Sequence, residues 1–101
     1  MTIFHSVAVP SDLTFAGPTS AVEAGTIATL TCSSNGGMPP PNVTIGKQDG
    51  TLLTSGVSPQ EHEYIPTGAS DQERFVCTSQ NVAGSLSDTI TLNVVGMSNI
   101  L

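Results

Sequence analysis

Two cysteines constrain this chain more than any other feature. Cys32 and Cys77 lie 45 positions apart, each inside a short run that alternates apolar with polar residues. With the two-residue period of an extended strand, Ala28, Leu30 and Cys32 share one face and Phe75 shares a face with Cys77. Two inward cysteines on separate strands point to layers of sheet packed on a common core. Composition agrees: 101 residues suffice for one two-layer domain. Only 38% of residues are apolar and 4% aromatic, so that core is thin and mainly aliphatic. Ten glycines and seven prolines suit many short strands joined by turns. No window holds the i, i+3, i+4, i+7 apolar spacing of a helix. The two thiols alone leave their redox state open, since they stay reduced inside a cell and pair outside it.

In chain order, residues 1–8 read as a leader or linker with Phe4 its only bulky group, 9–95 as the domain, and 96–101 as a tail or linker. No basic start or apolar run of an export signal occupies residues 1–10, so Met1 followed by strand-like sequence points to an excised piece of a longer secreted or surface protein. The uncharged stretch 24–46 is broken by Thr, Ser, Asn, Gly and three consecutive prolines and is not a membrane span. A first strand is expected around Leu13 and Phe15, beginning as early as Val7, with a second short piece at 20–23. The clearest strand covers 26–34. A Gly/Pro loop at 35–41 leads to a strand at 42–48 with Val43 and Ile45 inward. Asp49-Gly50 makes a hairpin turn into a short edge strand at 51–54. Residues 55–60 read as a loop and 61–65 as a strand ended by Pro66. The strand through Phe75 and Cys77 runs to about Ser79, Asn81-Val82-Ala83-Gly84 turns, and 87–95 is the last strand, with Ile90, Leu92 and Val94 inward.

The order Tyr64, Pro66, Asp71, Phe75, Cys77, together with Cys32 in its alternating strand, resembles the immunoglobulin superfamily, in the C2 or I-type sets of adhesion and immune receptors, over roughly residues 10–95. The resemblance implies an all-β, immunoglobulin-like antiparallel sandwich of seven or eight strands with one inter-sheet disulfide, Cys32 to Cys77. Closing a loop of that length stabilises a fold by about 4 kcal/mol on the chain-entropy model. Two positions depart from the family pattern. Ile45 stands where the core tryptophan is usual, and Phe75 replaces the corner tyrosine, keeping the ring but losing the hydroxyl and its hydrogen bond.

Several functions are disfavoured outright. Lys47 and Arg74 are the only cations against eight carboxylates, for a net charge of −6, which cannot neutralise a row of phosphates. Nucleic acid is thereby close to excluded as a partner, the same argument disfavours heparin and anionic lipid surfaces, and no direct membrane contact is expected. A cysteine nucleophile needs an accessible thiolate beside a base, whereas both cysteines take inward positions. His5 and His62 lie far apart, and in Glu61-His62-Glu63 the histidine faces away from its neighbours, so no metal site is expected. No nucleophile elbow, phosphate-cradling loop or paired carboxylate is present, so neither catalysis nor a cofactor is expected.

Three features bear on recognition. Asn42-Val43-Thr44 is an N-glycosylation acceptor, and parity turns Asn42 and Thr44 outward. On the sheet carrying 42–48, the Cys77 strand and the last strand, the outward positions include Thr44, Gly46, Val76, Thr78, Thr89 and Thr91, with Arg74 the one charge. Such a face suits protein contact, because charge is depleted at interface cores. The loop tip, with Met38 as a soft anchor, is the other candidate surface. The expected function is a non-catalytic extracellular binding module of a cell-adhesion or immune-type receptor, contacting protein (itself, as a homodimer, or another surface protein) or spacing a neighbouring recognition domain. The rivals are an intracellular sarcomeric-type unit with free cysteines, and a glycan-binding sandwich, which the scarcity of exposed Tyr and Trp disfavours. Gly46→Arg and Thr91→Arg are expected to abolish partner binding with the melting temperature nearly unchanged, which a binding assay beside a thermal melt would check.

Overall fold

Alternation of apolar and polar side chains resolves into nine strands in the computed structural model, which describes residues 7–95. Phe4, His5 and residues 96–101 lie outside the described residues. The strands are β1 (Asp12–Ala16), β2 (Val22–Glu23), β3 (Ala28–Asn35), β4 (Asn42–Lys47), β5 (Leu52–Val57), β6 (Gln60–Tyr64), β7 (Glu73–Asn81), β8 (Gly84–Leu92) and β9 (Val94–Val95). One antiparallel sheet has the order β1-β3-β6 and the other β5-β4-β7-β8. A short 3-10 turn, Gly68–Ser70, crosses between them ahead of β7.

The core lies where the inward stripes meet. Leu30 and Cys32 of β3, Val43 and Ile45 of β4, and Phe75 and Cys77 of β7 are fully buried, with Phe15, Ala28, Leu92 and Val94 around them. The Cys32–Cys77 disulfide spans the sheets with a Cα–Cα distance of 6.4 Å. Ile45, opposite Cys77 in the ladder, fills the position expected for tryptophan. Two residues beyond each cysteine, Ser79 Oγ donates to Ser34 Oγ at 2.6 Å, and the Ser34 N–H donates to Ser58 Oγ at 2.9 Å. This second, polar tie satisfies the fully buried Ser79 hydroxyl, which would otherwise carry a desolvation penalty.

At the other end of the core the hydroxyl missing from position 75 comes from a different strand. Tyr64 of β6 packs edge-on against Phe75 with centroids 5.1 Å apart. Its hydroxyl donates to Glu73 Oε1 at 2.5 Å and lies 3.1 Å from Ser70 Oγ. Asp71 Oδ1 accepts the Val94 N–H at 2.8 Å, fixing β9 to the lead-in of β7.

The structure departs from the sequence reading at four places. No strand begins at Val7; Ala8 makes a single bridge to Met38. Residues 55–57, read as loop, continue β5, because Gly56 pairs with Val43 and Val57 with Asn42 in the ladder. β7 extends past Ser79 to Asn81, and β8 begins at Gly84, where the hairpin closes on the Asn81–Gly84 pair. The final strand divides at Asn93, whose carbonyl accepts the Val22 N–H, so that β9 leaves β7 and runs parallel to β2. That division, with one parallel pairing, takes the strand count beyond seven or eight.

Replacing both cysteines by alanine is expected to lower unfolding stability by about 4 kcal/mol, and Ser79→Ala by about 1 kcal/mol, each read as a shift in urea midpoint at constant slope. A Ser79→Ala variant as stable as the parent would show that the hydroxyl pair contributes nothing.

Candidate protein-contact face

The outer face of the β5-β4-β7-β8 sheet is built in rows set by its register. Asn42, Gln80 and Ser85 form one row, Thr44, Thr78 and Ser87 the next, and Gly46, Val76 and Thr89 the third, with Arg74 and Thr91 closing the lower margin. Thr89 and Thr91 are exposed, and Thr44, Gly46, Val76 and Thr78 half-buried. All six sequence candidates on the strands therefore share one face. Ser55 of β5 belongs with them, pairing with Thr44, and escapes the sequence reading because its segment looks like a loop.

The face is concave. A depression of about 620 Å³ is lined by Asn42, Thr44, Thr78, Gln80, Asn81 and Val82. A second, of about 290 Å³, runs on below it past Gly46, Leu52 and Val76, sharing Thr44 and Thr78. Hydroxyls and amides along both can donate or accept hydrogen bonds. The opposite sheet turns Asp12, Glu61 and Glu63 outward, all exposed. Three of the eight carboxylates thus lie outward on that sheet, whereas the outward rows of β4, β7 and β8 carry none, exposed Asp88 of β8 having the parity of Ile90 and Leu92.

Gly46 has a local reason to be glycine. A bulge between Ile45 and Gly46 shifts the β4–β5 register, and a Cβ at position 46 would sit 2.8 Å from the Thr51 carbonyl oxygen. That same carbonyl accepts the Lys47 N–H at 2.8 Å. The backbone that approaches Gly46 closely is the chain's own, so an arginine there disturbs the hairpin as well as the face. The adjoining turn is held by Asp49 Oδ1, which accepts the Thr51 N–H at 2.9 Å and whose carboxyl is held below its ordinary value by that bond. Gly50 completes it at φ +101°, a conformation that favours glycine.

Asn42 is exposed at the start of β4; its Nδ2 donates to Ser55 Oγ at 2.8 Å and to Thr44 Oγ1 at 3.4 Å. At the tip, Met38 is 53% exposed and lies outside the strand rows. Asn81 joins the tip loops: Nδ2 donates to the carbonyls of Ala8 at 2.7 Å and Pro39 at 2.9 Å, while Oδ1 accepts the N–H groups of Ala83 and Gly84. No group of three or more His, Cys, Asp or Glu side chains that could hold a metal occurs among the described residues. Cys32 and Cys77 are bonded and buried, so neither supplies a thiolate.

No family model matches the chain. Human hemicentin-1 is 34% identical over 82 residues, which cover 73% of this chain and 1% of that protein. The sandwich superposes on Rst D1–D2 with a TM-score of 0.72 at 18% identity, over 88% of this chain and 51% of that one. It superposes on a mutant form of the titin M10–obscurin-like 1 Ig complex with a TM-score of 0.65 at 22% identity, over 88% of this chain and 98% of that one. The chain is an immunoglobulin-superfamily domain. Within this superfamily domain the inter-sheet disulfide is kept, while isoleucine replaces the core tryptophan and Tyr64 supplies the corner hydroxyl.

Of the two cations only Arg74 lies on the candidate face. Lys47 points to the lower end of the core, where its ammonium sits 3.2 Å from Glu73 Oε2 and 5.5 Å from the Tyr64 ring centroid. The Glu73 hydrogen bond, with Tyr64 second, raises the Lys47 pKa above 10.5. A group raised on folding stabilises fully below its unfolded pKa and loses that contribution as pH rises through the folded value. Stability is therefore expected to fall above pH 10.5 by less than about 1 kcal/mol from this pair, and Lys47→Met, which keeps the apolar stem, to lack that component. The measurement is urea unfolding across alkaline pH, followed by far-ultraviolet circular dichroism of the strands. Identical alkaline profiles for the two proteins would contradict the assignment.

Proposed function

We propose that this immunoglobulin-superfamily domain is a non-catalytic, extracellular protein-contact module of a larger cell-surface or secreted protein of adhesion or immune type, and that it binds through the outer face of β4, β7 and β8. The observation that carries the reading is the segregation of charge: hydroxyl and amide rows over a concave sheet on one side, and exposed carboxylates on the other. Interface cores are depleted of charge, and a protein of net charge −6 approaches an acidic or neutral partner at least electrostatic cost through its uncharged side. A buried, formed disulfide favours an oxidising compartment. The titin M10–obscurin-like 1 structure is a complex of immunoglobulin domains, which makes another such domain, including a second copy of this one, a natural first partner. The chain spans 1% of the length of hemicentin-1, so the activity of any parent protein is part of the proposal.

The same titin likeness favours the rival reading, an intracellular structural unit. Alkylation in denaturant, which exposes the otherwise buried Cys32 and Cys77, of the protein as drawn from its own cells separates the two. The extracellular reading expects no labelling of Cys32 or Cys77 before reduction, and labelling of both would replace it with the intracellular one. For the face, binding to a panel of immunoglobulin-domain proteins that includes this domain is expected to weaken at least about tenfold in Thr89→Arg and Thr91→Arg, with unchanged melting temperature. Full binding by both variants would move the site elsewhere.

A further inference from the structure

We propose that Asn42 carries an N-linked glycan whose first sugar lies in the 620 Å³ depression beside it and covers Val57 and Val82, confining protein contact to the lower half of the face. The inference rests on the extracellular reading, and three observations on the domain carry it. The acceptor triplet Asn42-Val43-Thr44 is presented outward, with the Asn42 amide and the Thr44 hydroxyl 3.4 Å apart on one side of β4. The depression begins at Asn42 itself and is lined by polar groups, of which the Thr78 hydroxyl and the Gln80 amide make no hydrogen bond among the described residues. Two bulky apolar side chains flanking Asn42 are without cover: Val57, its partner across the β4–β5 ladder and outside the lining, is 75% exposed, and Val82, in the lining, is 81% exposed.

A pyranose ring offers what this place lacks. Its hydroxyls and acetamido group can pair with Thr78 and Gln80, and its axial C–H faces can rest on the two valines, removing apolar surface from water. The chemistry is group transfer from a lipid diphosphate-linked oligosaccharide. A C–N bond forms between the sugar C1 and Asn42 Nδ2, the C1–O bond to the lipid diphosphate breaks, and one amide proton is released. Nδ2 keeps its other hydrogen, so its 2.8 Å donation to Ser55 Oγ survives the modification. The second depression, past Gly46 and Val76 toward Thr89, is left open for protein.

The test uses the full chain secreted from a eukaryotic cell behind a cleavable export signal. Intact mass is expected to show a glycan increment that peptide N-glycosidase removes, leaving aspartate at position 42, and that Asn42→Gln lacks. With the glycan trimmed to one N-acetylglucosamine, relaxation of the Val57 and Val82 methyls by a soluble paramagnetic agent is expected to fall relative to Asn42→Gln, with Ile65, exposed near the other end of the sandwich, unchanged as the reference. A glycan that leaves both valines as accessible as in Asn42→Gln overturns its seating in the depression. Oxidised cysteines with no glycan overturn the modification while leaving the extracellular reading intact. Free cysteines in the protein from its own cells would instead remove the reading beneath it.

Discussion

The spacing of the two sheets is set by one covalent tie, Cys32 of β3 to Cys77 of β7, each on an inner strand of its layer. The tie matters because the rest of the core is thin. Its largest fully buried side chain is Phe75, and aliphatics make up most of what surrounds the sulfurs. Where a tryptophan would bridge the layers by bulk, Ile45 fills less volume, and the disulfide together with the Ser34–Ser79 hydrogen bond holds the layers close enough for that smaller side chain to be covered completely. The two ties stand two residues apart along both strands, so the upper half of the sandwich is clamped by a covalent bond and a hydrogen bond in succession.

The lower half is closed by electrostatics and an aromatic pair. Tyr64, Glu73 and Lys47 form one chain of contacts across the open end of the core, with Tyr64 resting on Phe75. This use of Lys47 has a consequence for the surface. With one of two cations turned into the end of the core and the carboxylates of β1 and β6 on the opposite sheet, the outer face of β4, β7 and β8 keeps only Arg74 at its margin. The uncharged face therefore follows from the way the core is sealed, as well as from the threonine preference of strands.

Whatever obeys the period of two is legible in the sequence. Alternation assigns Ala28, Leu30, Cys32, Val43, Ile45, Phe75 and Cys77 inward, and each is buried. The outward threonines follow by the same rule. Features that depend on partners distant in sequence are not legible. Ser55-Gly56-Val57 has the composition of a loop and becomes strand because β4 offers it a ladder. Asn93 looks like any strand residue and ends β8 because its carbonyl is taken by β2. The missing hydroxyl at position 75 is visible, but its replacement by Tyr64 is not, because 64 and 75 meet only across the sheets. The reason for Gly46 lies in a register shift that no local pattern announces. Met38 and Asn42 are both exposed, the first on the tip and the second at the head of β4.

Native-state hydrogen exchange of the oxidised domain tests the central claim most directly, since it reports opening strand by strand. If the covalent tie governs the core, the amides of Leu30, Ile45 and Cys77 exchange most slowly and only through global unfolding, while those of the β5 edge, Ser55 among them, open locally and faster. Exchange at Leu30, Ile45 and Cys77 as fast as at the β5 edge would contradict it.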